Sequence, residues 1–428
     1  MRCIGLDVHQ SFCQVAIRED GRTRQAGRVK TDRAALEAFA EGLCEDDEVA
    51  LEATGPAMEI ARILVPRVGR VVVANAQEVR AISHARVKSD RFDARTLADL
   101  LAAGMLESVW VPDAQTQALR RRVARRSALV RRRTRAKNEV HAVLARCLLG
   151  KAPVSDLFGK KGRAWLAEQQ LGEDEAETVS GCLREIDFLG EEITVIDRKL
   201  AEHATGSEDI KRLMSIPGIG AAAAVTLIAA IGDVTRFESP RQLVAYLGLD
   251  PKVRQSGDEP ARHGRISKRG NAQARAVLVE AAWVAARQPG PLHAFNERVR
   301  SKKGSQVAAV AVARKIACLA WQLLTKQTDY AYGRPSLTRG KIRQTELAAG
   351  AKPLRTRHNG QRISATATER DAERRLTEQA EAAYRRLIAD WKASGPARKS
   401  AGATNGHASQ KPSERPAARQ APSPTPAL

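Results

Sequence analysis

CIGLDVHQSFCQVAIREDGRTRQAGRVK, residues 3–30, is the stretch that decides the fold of the first part of the chain. Apolar and β-branched residues form three short runs within it, at 3–9, 13–19 and 25–30. The segment Glu19-Asp20-Gly21 has the composition of a tight turn. We therefore predict three consecutive strands that form an antiparallel meander.

Alternating helical and strand-like segments follow this meander. Helical periodicity around 33–43 precedes EVALEAT at 48–54, a second helix is expected after Pro56, and RVVVANA follows at 70–76. Helices that alternate with strands usually pack against a sheet whose later strands are parallel. The sequence therefore predicts an α/β sheet with the meander at one side.

The chain has 428 residues and a net charge of +22, because 71 Lys and Arg exceed 49 Asp and Glu. Such a surplus indicates a polyanionic partner, and nucleic acid is the commonest one. A composition of 43% hydrophobic and 28% charged residues excludes a wholly disordered or fibrous chain. No uninterrupted apolar stretch reaches about 18 residues, and the N-terminus lacks a signal-peptide pattern. These two observations predict a soluble, cytoplasmic protein. The six cysteines have no zinc-ligand spacing, so we expect their thiols to be reduced.

Residues 120–137, RRRVARRSALVRRRTRAK, contain ten Lys and Arg and no acid. So many uncompensated cations should repel one another, which favours contact with phosphates over a solvated helix without a partner. A narrow apolar seam is predicted at Val123, Ala124, Ala128, Leu129 and Val130. The candidate nucleic-acid-binding residues of this helix are Arg120, Arg121, Arg122, Arg125, Arg126, Arg131, Arg132, Arg133, Arg135 and Lys137.

A heptad pattern follows in residues 176–203. Its apolar positions, seven residues apart or between those, are Val179, Ile186, Leu189, Ile193, Ile196 and Leu200. About three repeats of this kind predict a coiled-coil seam. The partner could be the 115–150 helix of the same chain or a second copy, and the sequence leaves both open.

Four carboxylates occupy positions that suggest a metal site. Asp7 and Glu52 lie in strand-like runs, where an acid is costly to bury unless it is paired or holds a cation. Asp90 and Asp93 are three residues apart at a helix start, so both can share one face. Alone, each acid could be a strand-end hydrogen bond or a helix cap. Together they match the layout with which RNase H-like folds gather acids around Mg²⁺, which prefers oxygen ligands.

Pro217-Gly218-Ile219-Gly220 separates two apolar helical runs and resembles a helix-hairpin-helix element. Gly218 and Gly220 would let the backbone approach a phosphate without reading base sequence. The alternative is a helix–helix turn in which glycine is needed only for close packing.

Ser256-Gly257 lies in a polar loop that is rich in basic residues. Small residues beside a serine give a nucleophile room to meet a phosphate, and nearby cations could neutralise that phosphate. A serine near arginines is usually just part of a solvated loop, so spacing alone favours no catalytic role. The nearby basic residues are Arg254, Arg262, Arg265, Lys268, Arg269 and Arg275.

Seven motifs in order resemble the transposases of the insertion-sequence family called one-ten. They are GLDVH, LEATG, VKSDRFDARTLADLL, SIPGIG, FESPRQLVAYLGLDP, RQSG and GRISKRGN, and the resemblance covers about residues 1–330. It implies an N-terminal RuvC-like domain in which Asp7, Glu52, Asp90 and Asp93 form a DEDD tetrad that binds Mg²⁺. It also implies that Ser256 is a nucleophile that forms a transient phosphoserine link with DNA.

The same resemblance implies partners that composition does not reveal. Acidic and serine domains of different subunits would form a composite site, so a homodimer or homotetramer is expected, and a structured guide RNA of the bridge type would pair with DNA. The sequence departs from the family at TGPAMEI, residues 54–60, where an aromatic residue often follows the glycine. Rival readings are a RuvC-like Holliday-junction nuclease that uses metal-activated water and a non-catalytic DNA-binding protein.

The predicted fold class is α/β plus α. An RNase H/RuvC-like DEDD domain at 1–112 precedes a basic helical, coiled-coil middle at 113–208. A mainly helical serine transposase domain with the helix-hairpin-helix-like element spans 209–332. A basic loop and helix at 333–393 and a Pro-rich, disordered tail at 394–428 lie outside the resemblance.

Overall fold

The first sheet strands, β1 (Cys3–Val8), β2 (Phe12–Glu19) and β3 (Arg22–Lys30), form the predicted antiparallel meander. The computed structural model describes residues 1–83, 89–257, 259–353, 357–358, 361–362 and 365–393. Asp20 and Gly21 join β2 to β3 with φ values of 48° and 76°. Two consecutive positive φ values suit a two-residue hairpin turn, because they match the twist of the flanking strands.

Two later strands complete the sheet in the order β3-β2-β1-β4-β5. β4 (Glu48–Glu52) and β5 (Arg70–Ala74) pair in parallel, and β4 also pairs in parallel with β1. The connecting helices are α1 (Arg33–Glu41) and α2 (Ala57–Leu64). The predicted α/β sheet with a meander at one side is therefore confirmed.

Helices cover both faces of this sheet because its central strands bury side chains on each side. One face packs against α1 and α2, through residues that include Ile4, Leu6, Val49, Leu51, Leu36 and Ile60. The other packs against α4 (Asp90–Ala102), through Cys3, Ala50, Val72, Leu97 and Leu101, with α3 (Ala76–Ser83) beside it. A Cβ at Gly5 would lie 2.0 Å from the Ala94 carbonyl oxygen, so a glycine is needed for α4 to approach β1 this closely.

Two 33-residue helices form a long antiparallel hairpin after the sheet. In it, α5 (Ala114–Arg146) packs on α7 (Glu173–Thr205), with the short α6 (Lys160–Ala167) between them in sequence. Arg146 pairs with Glu175 at 2.8 Å, whereas Arg126 pairs with Asp197 further along, which fixes the antiparallel direction.

The predicted heptad residues lie on the inner side of this hairpin. Val179, Ile186, Leu189, Ile193 and Leu200 are buried, and Ile196 is half-buried. They pack against α5 of the same chain, among other neighbours, so of the two partners left open the structure provides the intramolecular one. The predicted α5 seam is right at Val123 and Leu129, which are buried, but Ala124 is exposed because it lies on the outer side of the helix.

The remaining elements are mostly helical. They are α8 (Glu208–Met214), α9 (Ala221–Ile231), a 3₁₀ turn (Val234–Arg236), α10 (Pro240–Tyr246), β6 (Pro251–Arg254), β7 (Arg262–Ile266), α11 (Ala272–Ala285), α12 (Pro291–Lys303), α13 (Ser305–Lys326), α14 (Pro335–Ala348), β8 (Arg357–His358), β9 (Gln361–Arg362) and α15 (Ala367–Ala393). Strands β6 and β7 pair as an antiparallel hairpin, and so do β8 and β9.

Helix α13 is the centre of the second large core. Val312, Ile316 and Leu323 are buried there among residues of α8 to α11. Within the described part of the chain, α13 is also the one helix long and apolar enough to cross a membrane, by length and composition alone. Half of its most apolar window is buried inside the protein, which is the behaviour of a core helix.

By compactness, the chain divides into Met1–Glu381 and Ala382–Leu428. Of the second unit, the structure describes only residues 382–393, the end of α15. The predicted disordered tail at 394–428 lies outside the described residues. The finer domain boundaries within the first unit remain predictions.

Candidate active site and nucleic-acid interface

Asp7 and Glu52 end neighbouring parallel strands, β1 and β4. The register pairs Leu6 with Leu51, so the next residue of each strand stands at the same level. Because side chains alternate along a strand, both acids belong to the face of the sheet that α4 covers. The fold thus brings two of the four predicted acids to one edge of the sheet.

Asp90 and Asp93 lie in the first turn of α4 on the same face of the sheet. The helix is capped by Ser89, whose Oγ accepts a hydrogen bond from the Phe92 amide at 3.3 Å. Neither aspartate is therefore the cap, although both lie in the first turn, where the helix dipole also favours a carboxylate. The close approach of α4 to β1 at Gly5 carries the pair towards Asp7.

His9 joins the acids into a cluster. Its Nε2 lies 2.9 Å from Asp7 Oδ2 and 3.4 Å from Asp90 Oδ1. Burial raises the pKa of Asp7, the hydrogen bond and charge of His9 lower it, and the charges of Asp93 and Asp90 raise it further, with a net increase. Carboxylates that repel one another in this way favour a positive charge between them.

The donor set fits a divalent metal ion. Asp7, His9 and Asp90 each offer one ligand atom, and these atoms all lie within 4.8 Å of one another. Among the described residues this is the one group of three such ligands. Carboxylate oxygens suit a hard cation, whereas the imidazole nitrogen widens the choice towards transition metals.

The cluster differs from the predicted tetrad in its membership. Glu52 and Asp93 lie outside the group of three, although Asp93 is close enough for its charge to affect Asp7. His9 was not predicted. The signal was available, because His9 follows Asp7 by two residues in GLDVH and side chains two apart in an extended strand share a face.

Ser256 lies in the connection between β6 and β7 and is exposed. Gly257 follows with a φ of 55°, a left-handed conformation that glycine adopts without strain. Arg254 and Arg262 are direct cross-strand partners in this hairpin. Like charges opposite each other destabilise a strand pair, so the hairpin next to Ser256 favours a bound anion. Glu259 pairs with Arg262 at 3.2 Å and offsets part of this repulsion.

Lys268 and Arg269 are exposed on the neighbouring loop after β7. The backbone of this loop packs against the backbone of residues 246–248. A Cβ at Gly248 would lie 2.2 Å from the Arg269 carbonyl oxygen, and one at Gly270 would lie 2.0 Å from that of Tyr246. Both glycines have positive φ values, 68° and 120°. This close approach gives the two basic residues a fixed support.

Arg265 and Arg275 of the same basic stretch differ in setting. Arg265 is exposed on β7. Arg275 is half-buried, and its Nη1 donates to the Leu247 carbonyl oxygen at 3.0 Å. The guanidinium of Arg275 therefore holds the loop in place, in contrast to the exposed cations around it.

The predicted helix-hairpin-helix element is a turn between α8 and α9. Gly218 has a φ of 85°, and a Cβ there would lie 2.3 Å from the Ala281 carbonyl oxygen of α11. The need for glycine at this position is thus explained by close packing. Gly220 is the N-cap of α9, provides no side-chain cap, and has open space where a Cβ would project.

The basic residues of α5 divide into two groups. Arg120 donates to the carbonyl oxygens of Ala229 and Ala230 at 2.7 and 2.9 Å, and Arg126 pairs with Asp197. The expectation that all ten cations lack compensation is therefore wrong, because these two, and also Arg121 and Arg125, have partners from distant parts of the chain. Arg125 lies 3.7 Å from Glu192, Arg121 lies 3.9 Å from Glu59, and Lys137 lies 4.7 Å from the Phe158 ring.

The other members of the basic helix have no ion pair with a described residue: Arg122, Arg131, Arg132, Arg133 and Arg135. Arg133 is half-buried and the other four are exposed. Across the described ranges, no contact connects Ser256 with Asp7, His9 or Asp90. The structure therefore provides an acidic cluster, a serine hairpin and a basic helix as three separate features.

Comparisons with known proteins bear on all three. Residues 4–148 match the model of the IS110 DEDD transposase, and residues 210–297 match the model described as transposase, IS116/IS110/IS902 family. The chain is 31% identical over 252 residues to the transposase for insertion sequence element IS1111A of Coxiella burnetii, across 58% of this chain and 69% of that protein. It is 32% identical over 272 residues to y4qE of Sinorhizobium fredii, across 63% of either protein. A shorter match, 29% over 121 residues, covers 28% of this chain and 37% of the pilin gene-inverting protein of Moraxella bovis.

Proposed function

Because the chain belongs to the IS116/IS110/IS902 family of transposases, we propose that it cuts and rejoins DNA during the movement of an insertion sequence. Members of this family are enzymes that act on DNA. The observation that carries the proposal is the gathering of Asp7, His9 and Asp90, with Asp93 beside them, at the edge of the first sheet. We place the reaction in the cytoplasm.

The first domain is proposed to be RNase H/RuvC-like and to use Mg²⁺. The sheet order β3-β2-β1-β4-β5 and acids at the ends of β1, β4 and the start of α4 support this assignment. The metal ligands would be Asp7, Glu52, Asp90 and Asp93. When bound, the ion would stabilise negative charge on the phosphate oxygens during phosphoryl transfer. His9 would orient Asp7 and Asp90, since its ring contacts both.

Ser256 is proposed as the nucleophile. Attack of its Oγ on a scissile phosphorus forms a phosphoserine ester while the cut DNA strand leaves with a free hydroxyl. Attack by a second strand's hydroxyl on that ester rejoins DNA and restores the serine. Arg254 and Arg262 support this role, because the charge of a phosphate would relieve their cross-strand repulsion.

DNA and a guide RNA of the bridge type are the proposed partners. Exposed arginines along α5, together with Lys268 and Arg269, would contact phosphates without reading base sequence. Gly220 at the open N-terminus of α9 would offer a further backbone contact. The family resemblance of the motifs, rather than any single contact, supports the RNA partner.

A composite site between subunits is proposed for the same enzyme. Ser256 belongs to the β6–β7 hairpin, and Asp7 belongs to the first sheet. If the acids and the serine act on one phosphate, a second copy could supply the missing half of each site. This arrangement predicts a homodimer or homotetramer as the active form.

The experiment combines the purified protein with the element's junction DNA, its non-coding RNA and Mg²⁺, and measures covalent protein–DNA adducts and joined DNA. Ser256→Ala should remove both products while retaining nucleic-acid binding. Ser301→Ala, which alters an exposed serine on α12, should behave as the unaltered protein. Asp7→Asn should remove cleavage.

Each alternative outcome would contradict a different part of the proposed function. Full recombination by Ser256→Ala would exclude the serine mechanism. Cleavage that survives Ser256→Ala but is lost in Asp7→Asn would favour a junction nuclease that uses metal-activated water. Binding without any Mg²⁺-dependent cleavage by the unaltered protein would indicate a non-catalytic DNA-binding protein. Unchanged recombination when the RNA is omitted would exclude the guide RNA.

A further inference from the structure

Lys341 of α14 reaches into the turn between α8 and α9. Its Nζ donates to the carbonyl oxygens of Met214 at 2.7 Å, Ile219 at 3.0 Å and Ile216 at 3.1 Å. An ammonium has three N–H donors, so these three acceptors use its full capacity. The contacts connect a segment outside the family resemblance to one of the motifs within it.

The charge of Lys341 has no carboxylate partner among the residues that the structure describes. Burial lowers the pKa of Lys341 to about 8, so most molecules still carry the ammonium charge at neutral pH. The oxygens around the charge are neutral backbone carbonyls. The charge is therefore compensated by dipoles in the way that a protein compensates a weakly hydrated monovalent ion.

The turn that presents these oxygens is held by contacts that do not involve Lys341. Ile219 donates its amide to the Ile216 carbonyl oxygen at 3.2 Å, and Gly218 packs against Ala281. Ser215 Oγ donates to the Arg212 carbonyl oxygen at 2.6 Å and accepts from the Tyr330 amide at 2.8 Å. The three carbonyls should thus keep their convergence when the lysine side chain is removed.

We propose that the turn from Met214 to Ile219 is a binding site for a monovalent cation and that the ammonium of Lys341 is its built-in occupant. Divalent ions are disfavoured because protein sites for them usually include carboxylates, whereas the acceptors found here are three neutral carbonyl oxygens. The N–O distances of 2.7 to 3.1 Å suit an ion of the size of K⁺ or ammonium better than the smaller Na⁺. Because Lys341 supplies this cation, the stability of the turn between α8 and α9 does not depend on dissolved salt cations.

Thermal unfolding in salts of equal ionic strength tests this assignment. Lys341→Ala should unfold about 3 °C or more below the unaltered protein in tetramethylammonium chloride, whose cation is too large for the turn. Addition of KCl or NH₄Cl should restore the midpoint saturably, and NaCl should restore less. The unaltered protein and Arg339→Ala, which removes an exposed cation of the same helix, should show no dependence on the cation.

A second variant separates the cation site from a simple packing role. Lys341→Met keeps the aliphatic chain but blocks the space, so it should lose stability without rescue by K⁺. Equal midpoints of Lys341→Ala in all four salts would overturn the proposal, whether or not the variant is destabilised. Failure of Lys341→Ala to fold in KCl would also overturn it, because a dissolved cation should replace the missing ammonium.

Discussion

At the scale of single residues, the fold depends on a few positions where one residue closely contacts an element that is distant in the sequence. Gly5 lets α4 pack closely against β1, and the side chain of Asp47 is fully buried against Arg2. Lys341 fills the turn between α8 and α9. Each of these positions has a distant partner in the sequence, so a substitution there should affect more than its own element.

Gly5→Val should lower the free energy of unfolding by about 3 kcal/mol, because the added side chain would collide with the backbone of α4 at Ala94. Urea unfolding measures the change. Gly190→Ala, in α7, is the matched control: nothing lies within 4 Å of its projected Cβ, so it should be neutral or stabilise by about 0.5–1 kcal/mol. Equal stability of Gly5→Val and Gly190→Ala would contradict the close approach.

Asp47 should make the free energy of unfolding depend on pH in the acidic range. Burial raises its pKa, but hydrogen bonds from Arg2 and from the Cys44 amide outweigh burial and lower the pKa to about 2. Because the folded pKa is below the ordinary value of 3.8, the contribution is present above about pH 4 and is lost as the pH falls towards 2. Asp47→Asn should cost roughly 2 kcal/mol at pH 7 and little at pH 2.

Urea unfolding of this variant at pH 7, 4 and 2.5 measures that dependence. Asp46→Asn changes an exposed neighbour and should leave the stability profile of the unaltered protein in place. A cost of Asp47→Asn that is the same at all three pH values would show that the carboxylate charge is not what stabilises this site.

At the scale of elements, the α5–α7 hairpin separates residues that pack from residues that remain available. Leu189 and Ile193 are buried against Leu129, whereas Val195 of the same helix is 61% exposed. The inner side therefore supplies stability, and the outer side of α5 supplies charge. This division explains how a helix so rich in arginine can form part of a folded core.

Ile193→Ala should lower the free energy of unfolding by about 2–4 kcal/mol, since it leaves a cavity between α5 and α7. Val195→Ala should change it by less than about 0.5 kcal/mol. Unfolding followed at two protein concentrations adds a test of the partner. A midpoint for Ile193→Ala that shifts with protein concentration more than that of the unaltered protein would indicate a seam between copies instead of within one chain.

Periodicity explains which elements were predictable. The strands, α1 and the heptad helix follow from spacing between neighbours in sequence, and the structure confirms them. Arg120 and Lys341 contact carbonyl oxygens on other elements, so no local pattern could assign them, whereas the spacing of His9 from Asp7 in GLDVH was a local signal that the prediction missed. The four predicted acids were found because their chemistry is unusual where they stand, although their joint role as metal ligands stays a prediction.

At the scale of the whole molecule, the net charge of +22 resolves into distinct surfaces. The first sheet places acids together, while α5 and the serine hairpin leave arginines exposed. A nucleic acid would therefore be held mainly by regions other than the acidic cluster. This separation lets a protein bind a polyanion strongly and still approach it with carboxylates, provided a cation mediates the approach.

Replacement of Arg131, Arg132 and Arg135 by glutamine should weaken duplex DNA binding similarly for unrelated sequences. The slope of log binding constant against log salt concentration should fall by about 3, one unit for each lost phosphate contact. Titrations between 50 and 200 mM salt measure the slope. Binding through about ten phosphate contacts changes by a measurable amount over this range of salt concentration. Lys302→Gln with Lys303→Gln, on α12, should leave the slope unchanged; an unchanged slope in the arginine variant would remove α5 from the interface.

The length of the α5–α7 hairpin sets a measure of distance. With 33 residues and a rise of about 1.5 Å for each, α5 is a rod of roughly 50 Å. Duplex DNA advances about 3.4 Å with each base pair, so the rod spans about fifteen of them, or one and a half helical turns. The ten cations of residues 120–137 occupy about 27 Å of this rod, so we expect them to meet phosphates over about eight base pairs of a duplex without recognising any base.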